Sequence, residues 1–479
     1  MISAYEMVIG LEVHVELKTE SKIFCSCPTK FGAEPNTQVC PVCMGLPGTL
    51  PVLNEKVVEL AVRAGLATKC NIAFFSKQDR KNYFYPDLPK AYQISQFDKP
   101  LCENGYLDIE TSDGKKRIGI TRIHIEEDAG KLIHHSEKGT MIDYNRSGVP
   151  LIEIVSEPDI SSADEAKAYV QKLRTLMLYS GVSDCKMNEG SLRCDVNLSV
   201  RKKGETLLGV RTEMKNLNSF QFIGKAIEYE FKRQVEALEN GEKIIQETRR
   251  FDESTGKTYS MRTKESFADY RFFAEPDLGS IELSKEYIQK IKDLLPTLPD
   301  ERKKKYTEKY SLTPSDADTI TSDPAIAEYF ESVAEKTSFP KIVANMLQSE
   351  IMAMTENGEF ICDIAPEHFA ALADMAGNNI INSATAKKLI KRMWENDIDP
   401  IATVNIEGLR QENDESIIIE WVKKAVAENP KSVVDYRKGK KTAAKAIIGK
   451  AMANSCGKAN PLIVQQLVER ELEKFDKLC

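Results

Sequence analysis

The sequence predicts an α+β protein: a mixed β-sheet domain followed by helical domains. Three observations predict it. Segments of strict apolar–polar alternation are concentrated before about residue 294, helical patches fall among them without a regular strand–helix repeat, and the chain beyond reads almost wholly as helix.

Met7 to Leu17 is the first such strand. Ile9, Leu11, Val13, Val15 and Leu17 point to one face, and Gly10, Glu12, His14 and Glu16 to the other. Ser191 to Arg201 repeats the pattern, with Leu192, Cys194, Val196, Leu198 and Val200 alternating against polar residues. Helical patches at Ala163–Tyr179 and Ile223–Leu238 lie between strands. The Pro-punctuated stretch from Leu294 to Asp300 predicts a joint. After it the pattern is helical to about residue 407, with Ser383 the expected N-cap of a helix carrying Ala386, Leu389, Ile390, Met393 and Trp394 on its core face. Residues 408–479 read as a small helical unit. One helix at Ile417–Val426 stops at Asn429-Pro430, a second runs from Ala443 to Met452, and a third opens at Asn460-Pro461.

A chain of 479 residues has room for roughly three domains at about 150 residues each. Hydrophobic residues at 42% and charged residues at 29% allow a large core and exclude general disorder, collagen-like sequence and coiled coil. No apolar run is long enough to span a membrane. Met1–Glu6 lacks the basic and apolar regions of a secretory signal, so the cytosol is the expected compartment. A net charge of −7 argues against wholesale nucleic-acid binding but leaves room for a local basic surface. Eleven cysteines are too few and too uneven for a disulfide scaffold, so the clustered ones are expected to bind metal or react.

That cluster is Cys25-Ser-Cys27 followed, after twelve residues, by Cys40-Pro-Val-Cys43. Two close pairs of thiolates suit one tetrahedral zinc, and filling all four positions makes it structural. Cys70, Cys102, Cys185, Cys194, Cys362, Cys456 and Cys479 are scattered.

Glu12 and His14 share a strand face about 6–7 Å apart. Acids recur elsewhere in the same region: Glu126-Glu127-Asp128 ends a second strand that also carries His124, and Glu153 sits inside the apolar run Pro150–Val155. Adjacent like charges repel unless solvated or joined by a cation, and lone acids in apolar runs are rarely left unpaired. Magnesium with nucleotide phosphates suits such oxygen-rich groups. Parity puts Glu126 with His124 and Glu127 with Ile125, which leaves both open as ligands. Arg193, Asp195 and Asn197 line another polar strand face, and Arg211, Glu213 and Lys215 a third.

Cations and rings occur together at Asp79-Arg80-Lys81-Asn82-Tyr83-Phe84-Tyr85-Pro86-Asp87, at Arg249-Arg250-Phe251 and at Tyr270–Phe273. They suit stacking on a base and holding a phosphate. Ser254–Thr258 ends like a phosphate-binding P-loop, but the motif needs glycine where Phe251 stands, so ATP use through a Walker fold is excluded. From Tyr436 to Val468 there are seven cations (Arg437, Lys438, Lys440, Lys441, Lys445, Lys450 and Lys458) and no acid, a local positive patch suited to phosphates. The run Glu301–Lys305 reads as a solvated helix face.

Several long strings together resemble the GatB family, the B subunits of the tRNA-dependent amidotransferase GatCAB. They are Val8–Leu17, Asp79–Asp87, Lys90–Gln96, Glu126–Lys131, Pro150–Asp159, Gly190–Asn197, Lys215–Ser219 and Glu247–Asp252. Gly457–Pro461 is similar to the family's tail domain. The resemblance implies a cradle-like catalytic domain at 1–294 carrying the zinc site, a helical domain at 295–407 and a tRNA-binding tail at 408–479. It implies an ATP-dependent ligase that phosphorylates the side-chain carboxylate of Glu-tRNA(Gln) or Asp-tRNA(Asn). Ammonia from a GatA-like amidase, clamped by a GatC-like small subunit, then amidates that carboxylate. Glu12, His14 and an acid from Glu126 or Glu127 match the family's magnesium positions. Asp195 and Glu213 are implied in the metal site or ammonia path. Arg193 and Lys215, with Arg80, Lys81, Tyr83, Tyr85, Arg249 and Arg250, are implied in contacts to ATP or the acceptor end, and Lys440, Lys441, Lys445 and Lys450 in contacts to tRNA. A noncatalytic tRNA-binding scaffold of the same fold is the competing expectation.

Overall fold

Alternation in the first strand has a direct structural result. In a computed structural model of the chain, which describes residues 4–135, 137, 139–263, 270–355 and 360–476, β1 (Tyr5–Glu16) lies at the centre of a nine-stranded sheet. Ile9, Leu11, Val13 and Val15 are fully buried. The other strands of this sheet are β2 (Asn71–Ile72), β3 (Cys102–Thr111), β4 (Gly114–Glu127), β5 (Pro150–Ser156), β6 (Leu192–Lys202), β7 (Thr212–Lys215), β8 (Glu247–Asp252) and β9 (Lys257–Thr263). Their order is β9-β8-β7-β6-β1-β5-β4-β3-β2. Every pairing is antiparallel except β7 with β8, which agrees with an α+β rather than a βαβ architecture.

Helices α1 (Glu55–Ala67), α2 (Ala163–Tyr179) and α3 (Phe220–Glu239) bury Val57, Leu60, Tyr169, Leu173, Ile223 and Ile227 in the same core as the apolar face of β1. Ser162 and Ser219 cap α2 and α3 by accepting from backbone N–H groups three residues on. Covering one face with helices leaves the other, polar face of the strands for chemistry. A small sheet of Phe273–Ala274, Asp79–Asn82 and Tyr92–Ser95 carries the basic–aromatic segment. The P-loop look-alike is the turn of the β8–β9 hairpin, where the Asp252 carboxylate accepts from Ser254 N–H and Gly256 takes φ +65°.

The chain divides into two compact units at Pro299 and Asp300, within the proline-punctuated joint. The second unit is helical. Its apolar residues form one cluster between Tyr306 and Val404 and another between Ile418 and Leu472. The helix expected to start at Ser383 is capped one residue earlier: Asn382 Oδ1 accepts from Thr385 N–H, making Ser383 the first helical residue. Asn429-Pro430 ends one helix and begins another, Pro430–Arg437, because proline is well suited to the first helical position. The 301–305 run is less solvated than its charges suggest, since Arg302 is buried and Lys305 pairs with Glu331 at 3.2 Å. Among the described residues no helix is long and apolar enough to cross a membrane. Cys479 and Met1–Ser3 lie outside the described residues.

Candidate active site

Register assembles the site. Across the polar face His14 stands opposite Arg193 on β6 and Glu153 on β5, and Glu153 stands opposite His124 on β4. One row over, Glu12 faces Asp195. The period of two along each strand therefore brings side chains from four strands together.

His14 Nε2 lies 3.3 Å from a Glu153 carboxylate oxygen and 3.5 Å from one of Glu126. His124 Nε2 backs the same two acids, 3.7 Å from Glu126 and 3.8 Å from Glu153. One ligand atom from each of His14, Glu126 and Glu153 falls within 4.8 Å of the others. Burial alone would push both carboxyls up. His124 outweighs it at Glu126, and the charge of His124 with the hydrogen bond and charge of His14 outweighs it at Glu153, so both are held below the ordinary value, Glu153 well below. Burial pulls His14 down, but the hydrogen bond and charge of Glu153, with Glu126 and Asp195, leave it raised.

A second set adjoins it. Glu12, Asp195 and Glu213 bring one oxygen each within 4.8 Å of one another. Asn197 Nδ2 donates to Glu12 at 2.9 Å, and Thr248 Oγ1 to Glu213 at 2.7 Å. Lys215 Nζ lies 2.5 Å from Asp195 and 3.5 Å from Glu213. Burial would lower this ammonium, yet Asp195 and Glu213 raise it well above the ordinary lysine value. Each acidic set thus already gathers cations around itself, the electrostatic condition a divalent ion would also meet.

The consecutive glutamates part company. Glu126 joins the His14 set, whereas Glu127 faces the other way, accepting from Lys90 Nζ and from Ile94 N–H at 2.9 Å. The expected set of Glu12, His14 and Glu126 or Glu127 is thus divided: Glu126 lies with His14 and is joined by Glu153, Glu12 lies with Asp195 and Glu213, and Glu127 lies with neither. Glu153 was hard to rank from sequence because the buried Leu151 shares its face and masks the alternation. His124 was legible only through its parity with Glu126.

Other expected residues scatter in role. Arg193 donates to Asp128 at 2.6 Å. Arg80 is engaged internally, bidentate on Glu275 at 2.6 and 2.8 Å and stacked 4.2 Å over the Tyr92 ring, rather than open to a phosphate. Lys81 stands 5.2 Å over Tyr270, and its charge acts on Glu126 and Glu153. Tyr83 packs edge-on to Tyr270, while Tyr85 is half exposed. Arg249 is likewise committed, donating to Thr258 Oγ1 at 2.9 Å and pairing with Glu247 and the buried Glu230, which leaves Arg250 the exposed member. In the second unit Lys440, Lys441, Lys445 and Lys450 are all exposed.

The four cysteines converge as their spacing predicts, each offering a sulfur within 4.8 Å of the others. Gly45 and Gly48, both at positive φ, turn the chain just after the second pair. Among the thiols, the hydrogen bond from Cys25 holds Cys43 down at about 4 against burial, with Lys22 assisting, while Cys27 is pushed up to about 11 by burial. The hydrogen bond with Cys43, together with burial, raises Cys25, so the fit to a tetrahedral zinc rests on the convergence of the four sulfurs, whose thiols the ion would deprotonate on binding.

A model of the GatB/GatE catalytic domain matches residues 7–289, and one of the GatB domain matches residues 328–472. The B subunit of the aspartyl/glutamyl-tRNA(Asn/Gln) amidotransferase from Caldicellulosiruptor saccharolyticus is 54% identical over 478 residues, 98% of this chain and 100% of that protein. The protein of that name from Caldanaerobacter subterraneus subsp. tengcongensis is 54% identical over 473 residues, again 98% and 100%. That from Lachnoclostridium phytofermentans is 48% identical over 477 residues, 99% and 100%. With its sheet domain and most of its helical unit matched, and its full length shared with these relatives, the chain belongs to the GatB family of amidotransferase subunits.

Proposed function

We propose that this chain activates and amidates the side-chain carboxylate of glutamate on tRNA(Gln), or of aspartate on tRNA(Asn), in a complex with a GatA-like amidase and a GatC-like small subunit. The observation that carries this reading is the convergence of His14, Glu126 and Glu153 beside Glu12, Asp195 and Glu213 on one sheet face in a member of this family.

A carboxylate is a poor electrophile until one oxygen becomes a leaving group. Its oxygen attacks the γ-phosphorus of ATP, ADP departs, and an acyl phosphate remains. Ammonia then forms the C–N bond, phosphate leaves, and a proton passes to a nearby base. Phosphoryl transfer asks the protein for positioning and charge neutralisation more than for a nucleophile. The residues present fit that demand. His14, Glu126 and Glu153, and separately Glu12, Asp195 and Glu213, would hold Mg²⁺, which when bound supplies charge neutralisation on the phosphate oxygens. Lys215 stands ready beside Asp195 and Glu213 for the acceptor end or a phosphate, and Lys81 brings a second cation to Glu126 and Glu153. The cysteine centre, read as structural Zn²⁺, and the exposed lysines of 408–479, read as a tRNA-binding tail beyond a helical domain at 295–407, complete the proposal.

The test is amide formation by the assembled complex, with ammonium chloride replacing glutamine. Gln-tRNA or Asn-tRNA appearing only with ATP and charged tRNA supports the reading. Binding of charged tRNA with no amide formed contradicts it and favours the scaffold.

A further inference from the structure

We propose that Lys22 is the charge-balancing residue of the four-cysteine centre, its buried ammonium serving as counter-cation to a metal-loaded tetrathiolate.

Lys22 is completely buried. Lysines are almost never buried to that degree unless paired, and among the described residues no carboxylate comes within 4 Å of Lys22 Nζ. Its partners are Cys43 Sγ at 3.6 Å and the Tyr144 carbonyl at 3.3 Å. Lys90, which lines the same small cavity, shows the usual solution instead: Glu127 neutralises it.

With no carboxylate beside it, the Lys22 ammonium is costly in a dry interior unless the sulfurs it faces carry negative charge. A divalent ion deprotonates the thiols it binds, and four thiolates around it leave two negative charges. An ammonium against one of the sulfurs then becomes favourable. Lys22 also bridges the two cysteine pairs: its backbone N–H donates to Cys27 O at 2.9 Å while its side chain reaches Cys43. The next residue continues the connection towards the catalytic face, because Ile23 N–H donates to Gly148 O and Gly148 N–H to Asp128 O, the acid that holds Arg193. Residues that contact metal ligands in this way tune affinity as strongly as they tune position.

This inference rests on reading the four cysteines as a metal centre, and the experiment separates the two. Zinc is quantified in the purified full-length chain, and its affinity is measured by competition with a chromophoric chelator. The comparison covers wild type, Lys22→Met, Lys22→Gln, Lys22→Arg and Lys90→Met. Well under one equivalent in wild type overturns the metal centre itself. With one equivalent present, the neutral Lys22 variants should bind zinc about 10- to 100-fold more weakly, Lys22→Arg should stay within a few-fold of wild type, and Lys90→Met should be unchanged. Either neutral variant suffices if the other does not fold. Wild-type affinity in a folded neutral variant, or an equal loss in Lys22→Arg and Lys22→Met, overturns the role of charge.

Discussion

His14 and Glu153 meet across β1 and β5, with Nε2 3.3 Å from a carboxylate oxygen. Each sets the other's ionisation, since Glu153 raises the imidazole while His14 and His124 hold the carboxyl well down. Residues far apart in sequence thus form one charged surface, next to which Glu12, Asp195 and Glu213 form a second.

Glu12→Ala should abolish ATP-dependent amidation by the complex while leaving its glutaminase activity largely intact, because Glu12 belongs to the carboxylate face and the proposal places the amidase chemistry on another chain. Parallel assays of glutamate release and amide formation check this. Wild-type amidation would sink the role given to Glu12.

Glu126 and Glu127 should separate by phenotype. Glu126→Gln removes a charge from the His14 set and should lose amidation with a near-native unfolding curve. Glu127→Gln leaves the partly buried Lys90 without its carboxylate and should cost roughly 3 kcal/mol of stability, the lower end for broken buried pairs. Urea denaturation combined with amidation assays distinguishes them, and equal stability loss in both contradicts the assignment of faces.

Glu16 gives a pH signature. Burial, then the Asp128 charge, pushes its carboxyl up to about 8, with Arg193 and Arg146 opposing. A raised folded value means that its stabilising contribution is fully present below the unfolded value, near 4.5, and is lost as pH rises through about 8. Glu16→Gln, which imitates the protonated form, should therefore gain stability over wild type across that window. Denaturation curves at several pH values that differ by a constant would contradict the shift.

Truncation after residue 407 should weaken tRNA binding steeply and flatten its salt dependence, because the exposed cations of 408–479 would no longer meet phosphates. Filter binding at two ionic strengths measures both, and unchanged affinity refutes the role of the tail.

Much of this was legible in the chain because β1 and β6 alternate cleanly: Ile9 to Val15 announce the core face and Glu12 and His14 the polar one. The paired cysteine spacing announced their convergence equally well. Register was not legible. Nothing local says that β5 lies beside β1, so Glu153 could be noticed as an acid among apolar residues but not placed against His14. Helix ends depended on single hydrogen bonds, which is why Asn382 rather than Ser383 caps its helix. Partner choice was hidden for the same reason: Arg80 and Arg249 look available in sequence, and only the fold brings Glu275 and Glu230 to them.

The most direct measurement of the central claim is ADP formation by this chain assembled with the proposed GatA-like amidase and GatC-like small subunit, comparing Glu-tRNA(Gln) with uncharged tRNA. The account predicts a burst of ADP that requires the aminoacyl group and disappears in Glu12→Ala and Glu126→Gln. Equal ADP formation with both tRNAs, each still bound, would contradict the kinase-like step.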